Sequence, residues 1–446
     1  MLLNKFLKGD GRTVKAKKNI LVSFLLKGLD GLIYLLLVPV TLGYLNEYEY
    51  GIWLTLNSVL MWINSFDIGL GNGLRNMLAI SAAKDNWSEG KAYVSTTFIM
   101  LSVLMGGFIA IGGLLEPFIN WYDILGTSPA KVPHLGQIVY VSFVVFCLNF
   151  IFKFIGNVYL AMQLPAGNNF LVVMGHLLSL VIIYLLTCFT RGNLFYVALA
   201  YTGSPLIIYL LSYPVTFFKI FPLLRPSLKT FDKKYLKSLF NVGMQFFFLQ
   251  IAGVVLFGIT NLMISHKFGP ENVTPYNISY RLFSLIPMVM SIIISPMWSA
   301  STDAYARGDV AWIKRTMRTI NKLMLLGSGV CLLMFACSKI IYHIWVGSEV
   351  VIPWSMSGLM AVFIIVFIWS SAYSQFLNGM GRLKIQTINT ITVALLFYPV
   401  ADVLGDCLGV NGFIISLILL NLSGLVLNVV QFNKVINHRD TGIWGK

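Results

Sequence analysis

Long apolar stretches recur along this chain at near-regular intervals, separated by short polar turns, and their length decides what they are. An apolar run of about 20 residues is what an α-helix needs to cross a hydrocarbon core. Twelve such runs can be drawn, at 19–45, 48–71, 92–115, 137–163, 168–189, 194–217, 236–265, 273–300, 312–338, 352–378, 385–401 and 411–434. None shows the period-two alternation of a half-buried strand, so the predicted class is an all-α polytopic membrane protein. The pattern also repeats. Adding 218 to the first six runs reproduces the second six approximately, so that 19–45 maps onto 237–263 and 194–217 onto 412–435. A repeat of that size predicts two pseudo-symmetric six-helix lobes of the same orientation, with an axis along the membrane normal. The expected divisions are a basic interfacial arm at 1–18, a first lobe at 19–217, a basic linker at 218–235, a second lobe at 236–434 and a tail at 435–446.

Charge adds the orientation. The net charge of +15 could suggest a nucleic-acid partner, but its distribution argues for topology and against nucleic acid. With the N-terminus inside, 25 of the 32 Lys and Arg fall in the arm, the even-numbered loops and the tail, whereas four (Lys131, Arg191, Lys267, Lys339) fall outside. That bias predicts both termini in the cytoplasm. The first apolar run is too long for a signal-peptide core and has no small-residue cleavage pattern, so it is expected to stay as a span. Four of the five cysteines lie within runs, and they show neither a disulfide frame nor a metal spacing.

Polar residues inside the runs carry the candidate chemistry. In the eighth run Asn277, Arg281 and Ser284 recur at i, i+4 and i+7 and share one helical face. A guanidinium there costs about 2.5–3.5 kcal/mol on insertion scales, so it should point into protein or a wet cavity. The plainer reading is a structural or outward-snorkelling arginine. The first run presents Ser23, Lys27, Asp30 and Tyr34 on one stripe, with Lys27 and Asp30 close enough in sequence to neutralise each other. The fourth run adds Asn149, Lys153 and Asn157 at spacings of four. His176 in the fifth run lacks any ligand spacing and reads as an interhelical hydrogen bond. Asp67 lies in the glycine-bearing end of the second run, which lacks the strand and spacing of a phosphate loop. The repeat does not duplicate the cations: Lys27 maps to Gln245 and Lys153 to Ser371. Single cations on different lobes suggest recognition of an anion. Neither a metal cluster, a nucleophile elbow nor a P-loop is found, and the loops are short, which argues against an ATP-driven pump or a membrane-bound hydrolase.

Four segments, Tyr50-Gly51-Ile52-Trp53, Asp67 to Asn76, Tyr280-Arg281 and Leu377 to Lys384, together with the twelve-span plan, resemble one family. It is the bacterial O-antigen and capsule repeat-unit flippases of the multidrug/oligosaccharidyl-lipid/polysaccharide exporter superfamily. The resemblance implies two lobes around a central cavity that alternate between inward- and outward-open states. It implies a bacterial inner-membrane location and, as substrate, an undecaprenyl-diphosphate-linked oligosaccharide bound for the periplasmic leaflet. Polymerase and chain-length proteins of the same pathway would be its partners. Basic residues lining the cavity would be Lys27, Lys153 and Arg281, with Asn277, Asn149 and Asn157 beside them. No enzyme activity and no metal or other cofactor is expected. Coupling to a proton, to sodium through Asp30 or Asp67, or to the membrane potential stays open. The competing readings are a cation-coupled drug antiporter of the same fold, which should prefer acidic cavity residues, and a polysaccharide polymerase or ligase, which should need a large outer loop.

Overall fold

The computed structural model describes residues 11–62, 70–162, 164–236, 259–348, 350–382 and 384–445. Among them the secondary structure is helical, with no strand. In a bilayer the backbone has no water to bond, so each span must satisfy its own amide groups, and helices do so locally. The chain divides into two compact units, Met1–Val254 and Val255–Lys446.

In the first unit α1 runs Gly11–Tyr44, α2 Glu47–Met61, α3 Leu70–Ala83, α4 Trp87–Leu115, α5 Leu135–Phe152, α6 Phe154–Ala161, α7 Pro165–Phe189 and α8 Leu194–Pro214. The described part of the basic arm is thus helical and continuous with the first span. Polar side chains mark where helices leave the apolar phase. Asn46 starts α2 by accepting a hydrogen bond from the Glu49 amide at 2.8 Å, and Glu47 and Glu49 sit in the first turn, where the helix dipole favours a negative charge. Asn86 and Asn193 cap α4 and α8 in the same manner. α1 packs along α7, and α8 packs against both α7 and α5. The Tyr50–Trp53 segment is core: Tyr50, Ile52 and Trp53 are buried, and the Trp53 ring lies 4.9 Å from that of Tyr201 on α8. The basic stretch after α8 does not hang free. Thr230 and Ser95 of α4 share a hydroxyl–hydroxyl bond at 2.7 Å, and Tyr235 stacks edge-on against Tyr93.

In the second unit α9 runs Val273–Ala306, α10 Val310–Ala336, α11 Trp354–Gly379, α12 Lys384–Leu408 and α13 Val410–Ile436. α11 is central, packed against α9, α10 and α13. A Cβ on Gly379 would sit 2.5 Å from the Trp298 carbonyl oxygen, so a bare backbone is what lets α11 meet α9 there. The Leu377–Lys384 segment ends in a clasp: Arg382 donates to Asp440 and to the Tyr305 hydroxyl, both at 3.1 Å.

Nine of the described helices are long and apolar enough to cross a membrane. They match nine expected spans to within a few residues, except that α12 continues to Leu408, past the expected end at 401. The 34-residue α9 accounts for the run at 273–300. The runs at 48–71 and 236–265 extend into 63–69 and 237–258, outside the described residues, and Asp67 lies there too.

At the opposite end of the second unit from Arg382, Lys267 contacts α12. Its Nζ donates to Asp402 Oδ1 at 2.7 Å and to the Asp402 carbonyl at 2.9 Å, and it pairs with Asp406 Oδ1 at 2.8 Å. The bond to Asp402, followed by that to Asp406, raises the Lys267 pKa above its ordinary 10.5. A raised lysine pKa stabilises the fold fully below the unfolded value and loses that contribution as pH rises through the folded one. Wild type should therefore melt above a Lys267→Met variant at about pH 9, with the gap closing above the ordinary lysine range. A gap that stays constant throughout would show that the ion pairs contribute nothing.

Candidate functional site

The first unit brings one cation into an unusual position. Lys27 projects from α1 as an exposed side chain, and among the described residues no ion pair is recorded for it. The carboxylate three residues on, which could have neutralised it, is engaged elsewhere: Asp30 Oδ1 lies 2.6 Å from His176 Nδ1 on α7. Both side chains are partly exposed, 29% for Asp30 and 35% for His176, so the pair lines an accessible face of the α1–α7 contact. The interhelical bond expected of His176 is present, and its partner is an acid 146 positions away.

Lys153, the other candidate cation within an expected span of this unit, is exposed as well. It occupies the single residue between α5 and α6, where helical hydrogen bonding continues on either side. Its amide donates to the Asn149 carbonyl at 2.9 Å, and its carbonyl accepts from Gly156 at 3.0 Å. The ammonium lies 5.9 Å from the centre of the Phe150 ring. Asn149 and Asn157 are half-buried, one turn to either side. Asn149 Oδ1 is enclosed and has no hydrogen-bond partner among the described residues.

The polar face of α9 is placed differently. Arg281 is only 5% exposed, which excludes outward snorkelling. Asn277 and Asn261 exchange amide hydrogen bonds, Asn277 donating at 2.8 Å and Asn261 at 3.4 Å. Asn277 also donates to the Val273 carbonyl at 3.0 Å. On this face the Asn277 amide is bonded within its own unit, and Arg281 is buried one turn on. Of the six substrate-binding candidates, then, Lys27 and Lys153 are exposed, Asn149, Asn157 and Asn277 are half-buried, and Arg281 is buried. Trp369 on α11 donates its indole N–H to Ser328 at 3.1 Å. Among the described residues no cluster of three or more His, Cys, Asp or Glu side chains could hold a metal ion.

An exposed lysine within a span has one physical consequence. A charge facing hydrocarbon costs about 2.5–3.5 kcal/mol at mid-span, so Lys27 is stable only where that face meets water or an anion.

Comparison with known proteins gives a consistent picture. Residues 16–301 match the family of polysaccharide biosynthesis proteins, and residues 246–403 match the MatE family. A "Putative O-antigen export protein" of Yersinia pseudotuberculosis is 23% identical over 352 residues, 78% of this chain and 79% of its own length. A "Putative O-antigen transporter" of Salmonella typhimurium is 20% identical over 389 residues, 84% of this chain and 86% of its own. Among solved structures, a multidrug resistance MATE family transporter of the MOP superfamily, captured inward-facing, superposes with a TM-score of 0.77. It is 16% identical and covers 94% of this chain and 98% of its own.

Proposed function

The chain belongs to the polysaccharide biosynthesis protein family, and from that premise we propose that it is a flippase for lipid-linked oligosaccharides. It would carry repeat units on a polyprenyl diphosphate from the cytoplasmic to the periplasmic leaflet by alternating access, for O-antigen or capsular polysaccharide. The observation that carries the reading is Lys27, an exposed cation within a span whose nearest acid in sequence is bonded to His176. A diphosphate brings about two negative charges, and charge-assisted hydrogen bonds to them are roughly twice as strong as neutral ones. Lys153 supplies a second contact in the same unit, with Asn149 and Asn157 as neutral donors. Arg281, internal to the second unit, would hold charge beneath the surface and, with Asn277, stiffen α9.

Asp30, three residues from Lys27 in the helix and bonded across to His176, is the proposed coupling residue. An inside-negative potential would also drive an outward-moving dianion, by about 2.3 kcal/mol per charge per 100 mV. The basic-residue bias supports an inner-membrane orientation with both termini cytoplasmic. The names of the relatives, both concerned with O-antigen movement, support the substrate class. A cation-exporting antiporter of the same fold is disfavoured by Lys27, an exposed lysine with no ion pair among the described residues.

The test is leaflet exchange in proteoliposomes holding the purified protein. A fluorescent saccharide on undecaprenyl diphosphate should become accessible to an external glycosidase, while a lipophilic cation loaded inside should not leave faster than from empty liposomes. Cation efflux without lipid exchange would reverse the assignment, and elongated glycan on gels would make the protein a polymerase.

A further inference from the structure

A polar cavity of about 240 Å³ lies within the second unit, walled by α11, α12 and α13. At about 30 Å³ for a water in the liquid, it has room for some eight waters. Its chemistry is unlike that of the first unit's cations. α12 contributes Gln386, Asn389 and Thr390, and α13 contributes Asn421 and Asn428. α11 adds the hydroxyls of Ser370, Ser371 and Ser374, and Phe367 adds an aromatic side chain. Among the described residues that line it, none is charged.

Part of this set is already paired. Ser374 Oγ donates to Gln386 Oε1 at 2.7 Å, Ser423 Oγ to Asn389 Oδ1 at 3.0 Å, and Asn428 Nδ2 to the Ser370 hydroxyl at 3.3 Å. These bonds fix the orientation of the amides and leave donors over. Gln386 Nε2 is enclosed and has no partner among the described residues. Asn389 Nδ2 faces the bare backbone of Gly424, where a Cβ would lie 3.2 Å from it. An enclosed polar atom without a partner costs about 1–3 kcal/mol, which a ligand group bonding to it would recover.

A cation would need a carboxylate to offset its desolvation, and an anion would need a lysine or arginine. Neither is found among the described residues that line this cavity. A mixture of amide and hydroxyl donors and acceptors with one aromatic side chain instead suits a neutral polyol, whose hydroxyls both donate and accept and whose C–H face is apolar. We propose that this cavity is a subsite for one sugar ring of the lipid-linked saccharide, read through Gln386, Asn389 and Asn421. The proposal rests on the flippase reading for its ligand and adds to it where the neutral part of that ligand is recognised.

Binding of two probes to the full chain in nanodiscs tests it: undecaprenyl diphosphate, and the same lipid carrying an N-acetylhexosamine disaccharide. Wild type should hold the sugar-bearing lipid at least tenfold more tightly than the bare one. Asn389→Leu should abolish that preference and leave affinity for the bare lipid unchanged. Should Asn389→Leu fold poorly, Gly424→Ala fills the same space with one methyl in a helix-compatible position and should do likewise, at a wild-type melting temperature. Equal affinity of wild type for the two lipids, or a preference that survives both variants, overturns the subsite and leaves diphosphate recognition standing. Loss of affinity for both lipids in both variants makes the cavity purely structural. Sodium-dependent stabilisation that either variant removes would make it a cation site. Failure of wild type to bind either lipid overturns the flippase reading together with the subsite.

Discussion

Replacing Lys27 by alanine should weaken binding of undecaprenyl diphosphate to the purified protein by about tenfold to a hundredfold, with insertion and thermal stability unchanged. A hydrogen bond to a charged group contributes about 1.5–3 kcal/mol, and each 1.4 kcal/mol is a factor of ten. Stability should hold because Lys27 is exposed and no ion pair is recorded for it among the described residues, so its removal strands no acid. Removing a cation from a span also favours insertion. Lys27→Arg keeps the charge and should retain most of the affinity. The Lys27→Ala/Asp30→Ala pair separates the two available explanations. If Lys27 merely offset Asp30, the double variant would recover wild-type binding. With Asp30 bonded to His176 at 2.6 Å, it should bind as poorly as Lys27→Ala alone or worse. Wild-type affinity in the single variant would remove Lys27 from the substrate site.

The largest stability loss from a single methyl is expected at Gly412. A Cβ there would overlap the Leu404 carbonyl and come within 2.7 Å of the Gly405 amide nitrogen. Both obstacles are backbone, so no change of rotamer relieves them. The chain turns here from α12 into α13 through Gly409, at φ 63°, and the Gly412 amide donates to the Gly409 carbonyl at 2.9 Å. Overpacking commonly costs 1–3 kcal/mol, and a clash between backbone segments belongs at or above the top of that range. Gly412→Ala should therefore lower stability by about 3 kcal/mol or more. Gly329→Ala, in α10 with open space around its Cβ, is the control and should be neutral or stabilising by about 0.5–1 kcal/mol. Thermal unfolding of both variants in detergent measures the difference, and equal melting temperatures would contradict the packing at the turn.

What could be read ahead of the structure follows the range of each interaction. Span lengths are set by hydrocarbon thickness, a property of each run taken alone, so eight of the nine helices fall within a few residues of their expected bounds and α12 alone runs on to Leu408. The partner of Asp30 depends on α1 packing against α7, and local spacing pointed instead to Lys27, three positions away. Arg281 shows the same limit. Periodicity correctly gave it a face shared with Asn277, but not what that face meets, and here the face meets its own unit. The polar cavity was within reach: Gln386, Asn389 and Val393 recur at i, i+3 and i+7, as do Asn421, Gly424 and Asn428. Every described member of that cluster is neutral, and an uncharged polar face has the same period as an ordinary packed one.

That neutrality sets how the cavity responds to its medium. Amides and aliphatic hydroxyls do not titrate near physiological pH, and their hydrogen bonds carry no net charge for dissolved ions to shield. An exposed lysine is different, because at 0.1 M salt the screening length is about 10 Å and attraction from beyond it is largely lost. Contacts made by Lys27 should thus weaken as ionic strength rises, whereas those made by Gln386 and Asn389 should stay constant. The contribution of Lys27 to holding an anion should therefore be largest at low ionic strength, whereas that of the neutral cavity should not depend on it.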